Sequence, residues 1–205
     1  VDVTGIYNIT KAHINFIDLE NKKGNDFIKR IGLKPDDKYV CIIIRDSAYK
    51  THYFKRLNEE ETKHRNSEPN DYIKAINYLL NQGYWVFRMG KLVEKSIEIQ
   101  HPKFFDYAVS ELKSDFLDIW INANCYFAVA NSTGLDEVQR TFRKPILHVN
   151  ISPPGQYISG LNNVQSIIKK MKFTKTNDLL SLKRMIDLDV INIKYTSDFE
   201  KNVEY

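Results

Sequence analysis

Two short polar segments each close an apolar run. Arg45-Asp46-Ser47 follows Tyr39-Val40-Cys41-Ile42-Ile43-Ile44, and Asn131-Ser132-Thr133-Gly134 follows Tyr126-Phe127-Ala128-Val129-Ala130. Small polar residues ahead of a helix leave backbone N–H groups for an anion, and the helix dipole adds partial positive charge there. Ser132 and Thr133 add hydroxyl donors, and Gly134 permits close approach. Helix capping alone accounts for Ser and Thr equally well. Arg45 and Arg88 each end an apolar strand, where a long cation is expensive without a partner. A planar guanidinium suits bidentate contact with phosphate or carboxylate, and the alternative is an internal ion pair, for instance with Asp46 or Asp115. Gly90 follows Arg88 directly. Glu137 lies one turn beyond the Ser-Thr-Gly loop, within reach of a ribose or sugar hydroxyl, although the helix dipole explains a carboxylate there too. Among candidate bases, Asp46 ends the first strand and His64 stands in Lys63-His64-Arg65-Asn66, where a solvated loop histidine is the plainer reading.

The elements that must position these residues alternate. Strands are predicted over 39–44, 84–88, 126–130 and 145–149, with a short one near Phe104-Phe105-Asp106. Helices are predicted over 71–82, 114–123, 135–142 and 179–188, with a short one that begins at Gly24 and is closed by Gly32. Continuous β-prone apolar runs separated by amphipathic helices imply an α/β fold, a Rossmann-like parallel sheet covered by helices. In such sheets ligands bind beyond the carboxyl ends of the strands, which brings the two opening segments and Arg88-Met89-Gly90 to one edge. Residues 1–38 read as a polar lead-in with a short helix, 39–150 as the core, and 151–205 as a C-terminal extension of loop and helix. Residues 50–69 read as a long polar loop of functional interest.

Composition narrows the function classes. With 42% hydrophobic residues, 205 residues can bury a substantial core. The net charge of +4 arises from 30 basic and 26 acidic residues. That excess permits anion binding but shows no concentrated stripe, so no nucleic-acid partner is expected. No run is long enough for a transmembrane segment. Cys41 and Cys125, both inside apolar runs, read as buried free thiols in a reducing, cytoplasmic setting. The five histidines form no metal-ligand pair, so no metal is expected. There is no G-x-G-x-x-G, Walker or G-x-S-x-G motif.

The ordered strings Ile44-Arg45-Asp46-Ser47-Ala48-Tyr49, His64-Arg65-Asn66, Tyr84-Trp85-Val86-Phe87-Arg88-Met89-Gly90, Asp106-Tyr107-Ala108, Ser114-Asp115-Phe116-Leu117-Asp118-Ile119, Ser132-Thr133-Gly134-Leu135 and Phe142-Arg143-Lys144-Pro145 with Asn150 cover roughly residues 39–150. Together they resemble a family of bacterial glycosyltransferases of GT-B type associated with surface-polysaccharide synthesis. The resemblance implies the C-terminal, donor-binding half of such an enzyme: a nucleotide-sugar donor, a glycan acceptor, and no cofactor or obligatory metal. Arg45, Arg88 and the Ser132-Thr133-Gly134 loop fit the role it implies of stabilising the leaving diphosphate, and the full set of donor-binding candidates is Arg45, Ser47, Arg65, Asn66, Arg88, Gly90, Asn131, Ser132, Thr133, Gly134 and Glu137, with Asp46 or His64 as the best available base. No complete acceptor domain precedes residue 39. The expectation is a fragment, a companion domain or homo-oligomer that completes the cleft, or a chain without transfer activity. The rival readings are a non-catalytic module for a nucleotide or anionic sugar, and a scaffold domain for a protein partner.

Overall fold

The computed structural model describes residues 4–54, 59–156, 160–193, 195–199 and 203–204, so part of the predicted polar loop, 55–58, lies outside the described residues. The main sheet comprises β1 (Tyr39–Ile43), β2 (Trp85–Met89), β3 (Phe104–Phe105), β4 (Phe127–Ala130), β5 (Ile146–Ile151) and β6 (Val164–Ile168). They pair in the order β3-β2-β1-β4-β5-β6, all parallel. This is the strand order of a Rossmann fold. The chain winds outward from β1 on one side and restarts with β4 on the other, so the switch point lies between β1 and β4.

Side chains alternate across the strands. Cys41, Ile43, Phe87, Ala128, Ala130 and Ile146 point to one face. There they pack with Phe27 of α2 (Asp18–Arg30) and with Leu117, Trp120 and Ile121 of α5 (Asp115–Asn124). Val40, Ile42, Val86 and Val129 point to the other face and meet Ile76, Leu79 and Leu80 of α4 (Ile73–Asn81). Both faces are therefore covered, as the unbroken apolar runs require. Gly83 closes α4 at φ 88° and Gly32 follows α2 at φ 97°, left-handed positions that glycine takes without a Cβ penalty. Cys41 and Cys125 are buried free thiols.

Four elements differ from the sequence expectation. Helix α2 begins at Asp18, six residues earlier than the predicted short helix. Asp18 and Glu20 occupy its first turn, and the Glu20 carboxylate accepts the Ile17 N–H at 2.9 Å. The stretch read as loop after 151 contains β6, which extends the sheet beyond β5. The predicted polar loop carries α3 (Ala48–Tyr53) and a 3-10 helix over Glu59–Arg65. The helix predicted over 179–188 is shorter, Leu182–Asp187, because Leu179 pairs with Lys172 in a β-bridge and the Leu180 N–H donates to the Met171 carbonyl at 2.8 Å, and Ser181 Oγ then caps the helix by accepting the Arg184 N–H.

One glycine fixes how α2 meets α5. A Cβ at Gly24 would enter the Trp120 indole. In an exposed helix Gly→Ala gains about 1 kcal/mol. Here we expect Gly24→Ala to lose about 1–3 kcal/mol, because overpacking outweighs propensity. A fall in thermal midpoint checks this, and a rise would contradict the packing.

Candidate functional site

The register sets β1 and β4 level, with Ile43 beside Ala130, so Arg45 and Asn131 emerge together at the switch point. Asn131 ties three segments there. Its Oδ1 accepts the Arg45 N–H at 2.6 Å, and its Nδ2 donates to Ser67 Oγ at 3.1 Å and to the Arg65 carbonyl at 3.3 Å. The Ser67 N–H returns to the Arg45 carbonyl at 3.0 Å. Asn131 is 2% exposed, so these bonds form in a water-poor place where each is worth more than at the surface. The 3-10 segment 59–65 is thereby clamped across the ends of both strands. Arg65 donates to the Ser132 carbonyl at 3.2 Å, and Arg45 to Thr62 Oγ1 at 3.3 Å. Asn66 Nδ2 donates to Ser47 Oγ at 2.7 Å. Ser132 takes φ 57°, a left-handed conformation uncommon for a side-chain-bearing residue and often found at ligand sites.

Beside this junction opens a cleft of about 490 Å³, on the carboxyl edge of the sheet. Asp46 and Ser47 follow β1, Glu94 and Lys95 follow β2, Asn150 lies near the end of β5, and Lys169 follows β6. Lys63, Asn66, Ser67, Glu68, Pro69 and Asp71 complete the wall. Asp46 joins two strand loops, since its Oδ1 accepts from the Ala48 N–H at 3.0 Å and its Oδ2 from the Glu94 N–H at 2.9 Å. Glu94 in return accepts the Ser47 N–H at 3.2 Å. Lys169 donates to the carbonyls of His64 at 3.0 Å and Asn66 at 2.9 Å. Burial pulls the Lys169 ammonium below its ordinary pKa, and the Asp71 charge opposes that shift. A wall of both carboxylates and ammonium groups suits a ligand with anionic and hydroxyl-bearing parts.

The structure brings together Arg45, Asp46, Ser47, Arg65, Asn66, Asn131 and Ser132. The other candidates are placed differently. Arg88 is fully buried and, as the register partner of Ile42, projects into the α4 face. Its Nη1 pairs with Asp106 Oδ2 at 3.3 Å and also donates to the Lys95 carbonyl. The ion-pair alternative therefore applies, with Asp106 in place of Asp46 or Asp115. Thr133 is engaged by Asp136, whose Oδ1 accepts the Thr133 N–H at 2.7 Å and its hydroxyl at 3.0 Å. Asp136 Oδ2 meets His148 Nε2 at 2.6 Å, both residues buried. A carboxylate of the chain itself thus serves donors of the loop that leads into α6 (Asp136–Thr141). Gly134 is exposed with open space around it, Glu137 pairs with Arg140 at 3.0 Å on the surface, and Gly90 packs closely on Val93.

His64 is fully buried and bonds through Nδ1 with Thr196 Oγ1 at 3.2 Å. Burial, followed by the charges of Arg65, Lys169, Arg45 and Lys50, lowers its pKa to about 4. The folded chain therefore holds a neutral imidazole where the unfolded chain binds a proton below pH about 6.5. Its contribution to stability is full above pH 6.5 and is lost as pH falls from there toward 4. Thermal midpoints should drop through that window, and His64→Gln should flatten the drop. An unchanged slope in the variant would exclude His64 as its source.

Sequence reasoning missed Lys169, Glu94 and Lys95 as parts of the cleft wall. Asn150 entered only through the motif set, although it lies near the carboxyl end of β5. Among the described residues no cluster of three or more His, Cys, Asp or Glu could hold a metal ion, and no helix is long and apolar enough to cross a membrane.

No family model matches the chain, and no curated protein matches it. Among solved structures it is similar to the E. coli ADP-heptose LPS heptosyltransferase II, at 12% identity and a TM-score of 0.47. The match covers 87% of this chain and 52% of that one, so the chain spans about half the length of that structure.

Proposed function

We propose that this chain is the donor-binding unit of a metal-independent glycosyltransferase that moves a sugar from a nucleotide-sugar to a glycan acceptor. The observation that carries the reading is the convergence of Arg45, Arg65, Asn131 and Ser132 at the switch point of the parallel sheet, where α/β folds bind nucleotides. The ordered motifs over 39–150 support the same assignment. The diphosphate lies against Arg45 and Arg65 at the switch point, with Lys63 and Lys169 as cations on the wall of the neighbouring cleft. These fixed charges stabilise the leaving diphosphate in the role a divalent ion would otherwise fill. Asp46, already oriented by two backbone N–H groups, retains acceptor capacity toward the cleft and is the base that takes the acceptor hydroxyl proton. His64 holds the 3-10 segment in place. The remaining wall of the active cleft comes from a companion domain or a second subunit.

Isothermal calorimetry with UDP-, GDP-, ADP-, CMP- and dTDP-sugars tests the reading. We expect one nucleotide class to bind, and Arg65→Ala to weaken it by about tenfold or more, the loss expected for one charge-assisted phosphate contact. Failure of the folded protein to bind any of them would overturn the donor site.

A further inference from the structure

We propose that Asn150 recognises the nucleoside of the donor, its amide oxygen accepting a hydrogen bond from a ribose hydroxyl; this rests on the donor-binding reading above. Strand β5 delivers Asn150 to the cleft through an irregularity. Its pairing advances from His148 to Ile151 on β5 but only from Ser166 to Ile168 on β6. Strand β5 therefore carries an extra residue at its carboxyl end, and such bulges re-aim a side chain. Within the bulge Asn150 takes φ 55°, a left-handed conformation that asparagine tolerates better than most residues with a side chain. Strain of this kind persists where the surroundings hold it, and it gathers at ligand sites. Asn150 lines the cleft.

The side chain is held by one end and free at the other. Its Nδ2 donates to Ser67 Oγ at 3.3 Å and to the Tyr72 hydroxyl at 3.4 Å, and both partners are buried. Ser67 Oγ also accepts from Asn131 Nδ2, so the Asn150 amide is tied to the switch point. Asn150 Oδ1 has no hydrogen-bond partner among the described residues. A fixed amide oxygen on a cleft wall can only accept, so it takes a hydroxyl or N–H of a ligand and offers nothing to a phosphate.

The order of the strands selects which part of the donor meets that oxygen. Strands β2, β1, β4, β5 and β6 follow one another along the edge, about 4.8 Å apart. The proposed diphosphate position lies at β1 and β4, beside Arg45 and Arg65. The transferred sugar lies on the β2 side of it, because the proposed base Asp46 is bonded to the Glu94 N–H beyond β2. The nucleoside therefore extends the opposite way, toward β5. One strand interval beyond the diphosphate is the place of the ribose ring, which is bonded to it directly, and the base reaches further, toward Lys169 beyond β6. Glu137, whose place in the sequence suggested contact with a ribose or sugar hydroxyl, pairs with Arg140 instead. Asn150 takes that part.

Calorimetry on the full chain with UDP, GDP and ADP, each beside its 2′-deoxy and 3′-deoxy forms, tests the assignment. The ribonucleotide that binds should exceed at least one of its deoxy forms by about tenfold, the worth of one hydrogen bond whose loss leaves a polar group unpaired. Asn150→Gly accepts φ 55° without strain and removes the amide, so it should bind the ribose and deoxyribose forms alike while its circular dichroism stays native. Asn150→Asp keeps an acceptor oxygen and tolerates the same φ. It should weaken all forms through its charge yet keep the preference between them. Equal binding of all three forms by the unaltered chain, a preference that Asn150→Gly retains, or one that Asn150→Asp abolishes overturns the assignment and leaves the donor site standing. Binding of no nucleotide by the folded chain overturns both.

Discussion

Replacing Asp106 with alanine will destabilise the domain by about 3–5 kcal/mol, the cost of leaving a buried charge without its counter-ion. Arg88 is fully buried, and its guanidinium meets Asp106 and the Lys95 carbonyl. Asp106 also accepts the Ile97 N–H at 2.9 Å, so the pair anchors the chain between β2 and β3 as well as neutralising Arg88. Arg88 Nε and Nη2 have no hydrogen-bond partner among the described residues, so little else compensates the cation. Urea denaturation of Asp106→Ala reads the loss. The double variant Arg88→Met, Asp106→Leu should recover most of it, because replacing both partners removes the uncompensated charge. A single variant that loses less than about 1 kcal/mol would show that the buried pair carries no such burden.

Asn131→Leu will have the second large effect, and it acts on stability and binding together. Leucine is close in size but leaves the Arg45 N–H, the Arg65 carbonyl and the Ser67 hydroxyl each short of a partner. The expected loss is about 2–4 kcal/mol, since unsatisfied buried polar groups cost more than the bonds they formed. Releasing the 59–65 segment also lets Arg65 move away from Ser132, so donor affinity should fall by about tenfold or more even where the variant is folded. Chemical denaturation and donor calorimetry on the same preparation separate the two losses. Normal affinity in a destabilised variant would confine Asn131 to folding.

The central strands were legible in the amino-acid sequence because burial on both faces leaves an unbroken apolar run, as in Val40 to Ile44 and Phe127 to Ala130. The loops beyond them followed from that, since parallel strands place their carboxyl ends on one edge. Strand β6 was not legible. It is an edge strand with Gln165 and Ile167 exposed, so its apolar run is broken and resembles a loop. Lys169 was lost with it. Arg88 shows a different limit. Its position at a strand end was read correctly, but the alternation of side chains turns it sideways into the α4 face, where Asp106 waits 18 residues further on. His64 shows a third. A polar segment without period reads as solvated, and only partners as remote as Thr196 and Lys169 can bury it. Such long-range satisfaction leaves no mark on local spacing.

A second cavity of about 450 Å³ lies at the opposite, amino edge of the sheet, lined by Asn25, Lys29, Lys34, Tyr39, Trp120 and Asn124 among others. The two edges make the position of the donor site decidable. Backbone NMR shifts should be recorded on titration with the nucleotide-sugar that binds most tightly. The largest changes are expected at Ser47, Arg65, Asn66, Asn131 and Ser132, with Trp120 and Lys29 unmoved. Changes concentrated at Trp120 and Lys29, with the switch point silent, would contradict it.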